Sequence, residues 1–272
     1  MKFNKIIGIG DSWTIGEGWI SHEDEAVKLS KIPDWEKDGS GFAGQPKALY
    51  ELRTTHSYTR WLADKFNVPY EVFAVSGGAN HQFQQFFMEL RQEGKIDKNT
   101  LVIIGWSSAL REQADFFPNT FDRDSSIIFW SNDLIENKER FYQNTSSPFE
   151  AYWKKYYISN LLDTSYFEHK TLNYKLMIQE YCAYYKIPLL QCNAFESQSS
   201  KLFSKTFFKP DSTLFDEIKD EGDDIWQGEF TETMKTQGKQ KKYVNALHPN
   251  IKGYKIIADK LYNYINGLYT RI

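Results

Sequence analysis

Two short runs far apart in the chain hold residue types that can carry out acyl transfer. The first is Lys5-Ile6-Ile7-Gly8-Ile9-Gly10-Asp11-Ser12, an apolar run that ends in a Gly-Asp-Ser turn. The second is Asn245-Ala246-Leu247-His248-Pro249-Asn250, which puts a histidine in a loop ahead of an amphipathic stretch over 251–265. A serine hydroxyl attacks an ester efficiently only when a base takes its proton, and imidazole is the usual base near neutral pH. With the first run as a buried strand and 251–265 as a helix, Ser12 and His248 can meet at one edge of an open α/β sheet, where such folds put their sites. Pro249 and the helix behind it hold His248 at a fixed place on that rim. The other histidines, His22, His56, His81 and His169, read as structural or solvent-exposed.

The elements that must position these two residues follow from periodicity. Strands are predicted at 5–10, 70–75, 100–106 and 187–193, all short and apolar as central parallel strands are. Between them, 19–55 reads as a long irregular polar connection. Helices are predicted at 56–66, with Trp61, Leu62 and Phe66 as the apolar stripe, and at 82–92, with Phe83, Phe86, Phe87 and Leu90 in the core. Two more are predicted at 149–161 and 166–185, the latter burying Leu172, Leu176, Ile178 and Tyr181, and a closing helix at 251–265 turns Ile256, Ile257, Leu261 and Ile265 inward. Strands alternating with helices predict right-handed crossovers and a parallel sheet covered on both faces. The chain reads as one domain over 1–272 with two long insertions, 109–148 and 194–243, whose loops are expected to form the pocket rim and carry specificity.

The polar positions at the strand ends fall into ordered blocks that resemble the SGNH (GDSL-type) hydrolase family. The first block stands as Gly10-Asp11-Ser12, and the second as Ser76-Gly77-Gly78-Ala79-Asn80 after a strand. The third, Gly-x-Asn, keeps its strand and Gly105 but has Ser107 for Asn; the fifth, Asp-x-x-His, keeps His248 but has Asn245 for Asp. The resemblance implies a flavodoxin-like three-layer α/β/α sandwich with a central parallel sheet. It implies Ser12 as nucleophile, His248 as base, and an oxyanion hole made by the backbone N–H groups of Ser12 and Gly77 with the side chain at Ser107. Asn80 offers an amide close by that could compensate for the shorter reach of Ser107, and Ser108 offers a second hydroxyl. Asn245 leaves three readings open: its amide oxygen orients the ring, a backbone carbonyl or another acid does so, or hydrolysis has been lost. Asp11 is expected to fix the turn through its carboxylate. Trp13, Trp19 and Trp106 form either a sugar-stacking wall or part of the core.

Composition bounds the rest. The 272 residues carry a net charge of −3, with 41% apolar and 17% aromatic residues, enough for a sizeable core. Basic residues are scattered, and the one short basic run at 239–242 reads as solvated loop, so nucleic acid is not an expected partner. Cys182 and Cys192 are too few and too isolated for a disulfide framework or a metal site and read as buried thiols; no cofactor is expected. There is no secretory-signal pattern and no run of about 20 apolar residues, so no membrane partner is expected, and a cytoplasmic location is, with release by lysis or in a particle as the other route. The expected function is a serine hydrolase, an esterase or O-deacylase such as a deacetylase, acting on a small ester or acylated carbohydrate. The alternative is a binding or structural protein that keeps the fold without the activity. A flavodoxin-like nucleotide or FMN binder is disfavoured, because Asp11 and Trp13 put an acid and a bulky ring where a phosphate cradle would stand.

Overall fold

Runs of Ile, Leu and Val build the sheet. In the computed structural model, which describes residues 3–19, 22–32, 42, 46–109, 111–115, 126–130, 164–194, 196–221 and 248–269, four strands pair in parallel in the order β2-β1-β3-β6. These are β1 (Lys5–Gly10), β2 (Tyr70–Ala74), β3 (Thr100–Trp106) and β6 (Leu189–Asn193). A separate antiparallel pair, β4 (Arg111–Asp115) with β5 (Ser126–Trp130), lies within the first insertion. The helices are α1 (Ser12–Ile15), α2 (His22–Ser30), α3 (Lys47–Thr54), α4 (Tyr58–Phe66), α5 (Asn80–Gln92), α6 (Thr164–Tyr185), α7 (Leu214–Ile218) and α8 (Ile251–Tyr269).

Alternation along the strands divides the core in two. Ile6, Leu101 and Ile103 pack with Leu62 of α4 and Ile257, Leu261 and Ile265 of α8. Ile7, Ile9, Val102 and Ile104 pack with Phe83, Phe86, Phe87 and Leu90 of α5 and Ile178 of α6. Helices therefore cover both faces, which makes this a flavodoxin-like three-layer α/β/α sandwich. The chain steps from β1 outward to β2, then crosses back over β1 to β3. The reversal leaves a crevice at the carboxyl ends of β1 and β3, the topological switch point of such sheets.

Two glycines let the chain fold down into that crevice. Gly10 and Gly105 are register partners at the ends of β1 and β3. A Cβ on Gly10 would stand 2.2 Å from Thr14 Oγ1 and 2.8 Å from the Gly105 carbonyl oxygen, and one on Gly105 would stand 2.6 Å from Thr14 Oγ1. Thr14 is wholly buried and shares a 2.9 Å hydrogen bond with the Tyr58 hydroxyl. The missing side chains are the slot in which α1 sits.

Several expectations change. The segment 19–55 is not irregular throughout, because α2 and α3 form within it. Their apolar stripe is thin, and what anchors them is a buried ion pair from Arg53 to Glu25 that periodicity does not register. In α6 the buried positions are Phe167, Thr171, Lys175, Ile178, Gln179 and Cys182, while Leu172, Leu176 and Tyr181 are half-buried. The second insertion is not simply a rim. Phe207, Phe208, Leu214 and Ile218 are buried, and the chain near Phe207 bridges to β6, with Phe208 N donating to the Gln191 carbonyl at 2.7 Å. The helix expected at 149–161 lies outside the described residues. Among the described residues, no helix is long and apolar enough to cross a membrane.

Replacing Gly10 with Ala should destabilise the fold by about 1–3 kcal/mol, since one of the obstructing atoms is backbone and cannot swing away. The measurement is the urea midpoint of Gly10→Ala against Gly267→Ala, whose added Cβ meets nothing within 4 Å.

Candidate active site

Ser12 opens α1 directly after β1. Asp11 is its N-cap, wholly buried, and accepts a 3.1 Å hydrogen bond from the Trp13 N–H, so the carboxylate fixes the turn as expected. Gly16 closes the turn at φ +92, where the left-handed conformation suits glycine and a Cβ would lie 2.4 Å from the Arg53 carbonyl oxygen. The Ser12 carbonyl then accepts from the N–H groups of Gly16 at 3.2 Å and Glu17 at 2.9 Å. Ser12 is held as the first residue of a rigid turn and is 4% exposed.

His248 comes to this same turn from the far end of the sequence. Its Nε2 lies 3.9 Å from Glu17 Oε2. Two hydrogen bonds lock the segments together: Ile251 N–H donates to the Trp19 carbonyl at 3.2 Å, and the Tyr254 hydroxyl donates to the Glu17 carbonyl at 2.6 Å. Ser12 and His248 thus occupy one edge of the sheet. Asn245 lies outside the described residues.

The second and third blocks meet beside them. Gly77 has φ +75 in the turn after β2, and the neighbouring Ser76 hydroxyl donates to Glu17 Oε2 at 2.5 Å. Ser107 follows β3 and is 2% exposed; its hydroxyl is buried without a hydrogen-bond partner among the described residues. Asn80 was expected as a supplementary oxyanion donor. Its amide nitrogen instead stands within hydrogen-bond distance of Ser107 O, Ser108 O and Thr171 Oγ1, at 3.1, 3.1 and 3.3 Å, and its Oδ1 accepts from Ser107 N–H at 2.9 Å. Two amide hydrogens shared among three acceptors leave none aimed outward, so Asn80 clamps the loop after β3. Ser108 is also engaged, donating to Glu196 at 2.6 Å.

The three tryptophans belong to the core. Trp13, Trp19 and Trp106 are at most 1% exposed, which excludes them as a sugar-stacking wall. Trp19 stacks on His56 at 3.9 Å and donates to Glu25 at 2.9 Å; Trp106 donates to Gln191 at 2.8 Å. Both cysteines are free and buried, and burial pushes each thiol up to about 12. His56 is lowered by burial, and then by Lys28, Arg60 and Lys255. Among the described residues, no cluster of His, Cys, Asp and Glu could hold a metal ion.

Two polar groups escaped the sequence reading. Glu17, Glu25 and Arg53 form a buried cluster, with Arg53 held 3.2 Å from Glu17 and 2.9 Å from Glu25. Lys175 lies beneath the ends of β3 and β6, 1% exposed, with Nζ donating to Asn193 Oδ1 at 2.8 Å and the Trp106 ring nearby. The only sequence signal for Lys175 is its place in the 167-171-175-178-182 helical series. No family model matches the chain, and no curated protein matches it at a significant level.

Burial pushes the Lys175 ammonium down to about 7, against the pull of the Glu196 charge. The unfolded chain keeps that proton up to the ordinary lysine range, so between about pH 7 and 10 unfolding takes up a proton and stability rises with pH. The slope approaches about 1.4 kcal/mol per pH unit at most. Urea unfolding at pH 7 and pH 9 should show this gain in the wild type and a smaller one in Lys175→Met. Equal gains would remove Lys175 as the source.

Proposed function

We propose that this protein is a serine ester hydrolase of the SGNH type, an esterase or O-deacylase acting on a small ester or an acylated carbohydrate. One observation carries the reading: His248 is brought against the rigid turn that begins with Ser12, at the switch point of the sheet. In this reading His248 takes the Ser12 hydroxyl proton as Oγ adds to the ester carbonyl. The tetrahedral oxyanion collapses, and the departing alcohol leaves with the proton from His248. Water then repeats the sequence on the acyl-enzyme, releasing the acid and freeing Ser12.

The developing oxyanion needs donors placed in advance. The backbone N–H groups of Ser12 and Gly77 fit that part, as the family resemblance implies. The buried Ser107 hydroxyl, without a hydrogen-bond partner among the described residues, supports a third donor, since a buried polar group left unsatisfied calls for an explanation and an incoming oxyanion supplies one. The alternative, a binding protein that keeps this fold, draws on Asn245 and on Asn80, whose amide is turned inward.

Ser12→Ala should abolish hydrolysis of short p-nitrophenyl esters and labelling by a fluorophosphonate, with the melting temperature unchanged. Hydrolysis that survives the substitution would overturn the nucleophile. A wild type that neither hydrolyses nor labels would favour the binding protein. Ser107→Ala should lower kcat by about 10²-fold with little change in KM, the loss seen when one oxyanion donor is removed.

A further inference from the structure

The block that resembles Asp-x-x-His has no acid, yet the turn that carries Ser12 has one. Glu17 is the fifth residue after Ser12, with its side chain 14% exposed. Its two carboxylate oxygens face different partners. Oε1 pairs with the Arg53 guanidinium at 3.2 Å, while Oε2 accepts from the Ser76 hydroxyl at 2.5 Å and lies 3.9 Å from His248 Nε2. We propose that the Glu17 carboxylate is the acid that orients His248 and stabilises its protonated ring, the part that the resembling block leaves to Asn245. The proposal rests on the hydrolase reading above and makes Glu17 a positioning residue, acting through His248.

The charges around Glu17 support this. Arg53 reaches it from α3 and Glu25 backs Arg53 from α2, with Nε–Oε1 at 3.0 Å and Nη2–Oε2 at 2.9 Å. Asp11 is buried at the start of the same turn, and Tyr254 reaches in from α8. Three carboxylates stand against one guanidinium, so the cluster carries excess negative charge. The Tyr254 phenol senses it: burial raises it first, then the Glu17 and Asp11 charges raise it further. A proton arriving on His248 would offset part of that excess. At 3.9 Å the pair is an ion-pair contact rather than a hydrogen bond. It acts on the ring's charge and tightens once the ring is protonated.

Rigidity is the second argument. An orienting acid must itself be held, or it follows the ring instead of directing it. Glu17 is fixed by its N–H on the Ser12 carbonyl, its own carbonyl under the Tyr254 hydroxyl, Arg53 on one oxygen and Ser76 on the other. Ser76 precedes Gly77, so one carboxylate ties the turn of the nucleophile, the turn of the second block and the base.

The test uses the whole chain and the near-isosteric Glu17→Gln, with Glu17→Asp as the conservative variant. The His248 ring is titrated by NMR, with its signal assigned from its loss in His248→Ala. p-Nitrophenyl acetate hydrolysis is measured across pH 5–9, and melting temperatures check folding. Glu17→Gln should lower the His248 pKa by about one unit, move the acid limb of kcat/KM the same way, and cut kcat about 10²-fold with KM unchanged, whereas Glu17→Asp should retain part of each. An unchanged His248 titration would overturn the proposal whatever the rates do. So would a Glu17→Gln protein as fast as an active, fluorophosphonate-labelled wild type, and that result leaves the hydrolase reading standing. A wild type that neither hydrolyses nor labels would sink the hydrolase reading and Glu17's part in catalysis with it. A His248 pKa that still fell in Glu17→Gln would then mark the loss as that of the chemistry, with the ion pair intact.

Discussion

The serine edge depends on a space where two side chains are missing. Gly10 and Gly105 end paired strands, and the Thr14 side chain fills the gap above them, tied to Tyr58. Because Thr14 sits that low, α1 lies against the sheet instead of standing off it, and Asp11 can cap the turn from inside the protein. The Gly16 approach to the Arg53 backbone follows from the same geometry. Ordinary side chains at positions 10 and 105 would lift the turn by the thickness of a methyl group or more. The contacts from Glu17 to Arg53, Ser76, His248 and Tyr254 all start from this turn and would shift with it.

A second constraint is electrostatic. Arg53 stands between two carboxylates with its side chain 9% exposed. Burial disfavours its charge, but the hydrogen bond it donates to Glu25 and the charges of Glu17 and Glu25 outweigh that and hold it above its ordinary value. Such clusters add little net stability compared with apolar packing, yet breaking one partner out of them costs about 3–5 kcal/mol. Their use here is geometric. Arg53 comes from α3 and Glu25 from α2, so two helices with little apolar surface are pinned against the turn by charge.

Much of the fold was legible in the sequence, and the reasons are visible in particular elements. The bounds of β1 and β3 come directly from apolar runs ending at glycine, and α4, α5 and α8 come from aromatic and aliphatic residues at helical spacing. Ser12, Gly77, Ser107 and His248 could be named because each lies at a strand end or just before a helix. What stayed hidden was polar and buried. Lys175 and Thr171 sit in the inner seam of α6, where periodicity favoured Leu172 and Leu176; they are inside because Asn193 and Asn80 need partners there. Arg53 and Glu25 looked like loop residues because their burial comes from each other, and no hydrophobic pattern records a salt bridge. The sequence makes Asn80 look like an available donor because two of its three acceptors are main-chain oxygens, which a sequence does not display.

The bond from Tyr254 to the Glu17 carbonyl spans 237 positions of chain. During synthesis the N-terminal turn emerges long before the helix that completes it, an interval on the order of tens of seconds at ordinary elongation rates. Through that interval Glu17 has neither Tyr254 above it nor His248 beside it, and the face of α4 that later receives α8 is open to solvent. Closing so long a loop carries an entropic cost that only the docking of α8 offsets. The order of synthesis follows from this spacing: the strands and first helices are made before α8, whose arrival completes the edge holding Ser12. A nascent chain tethered to the ribosome would lack α8, and with it one layer of the core and the serine edge alike.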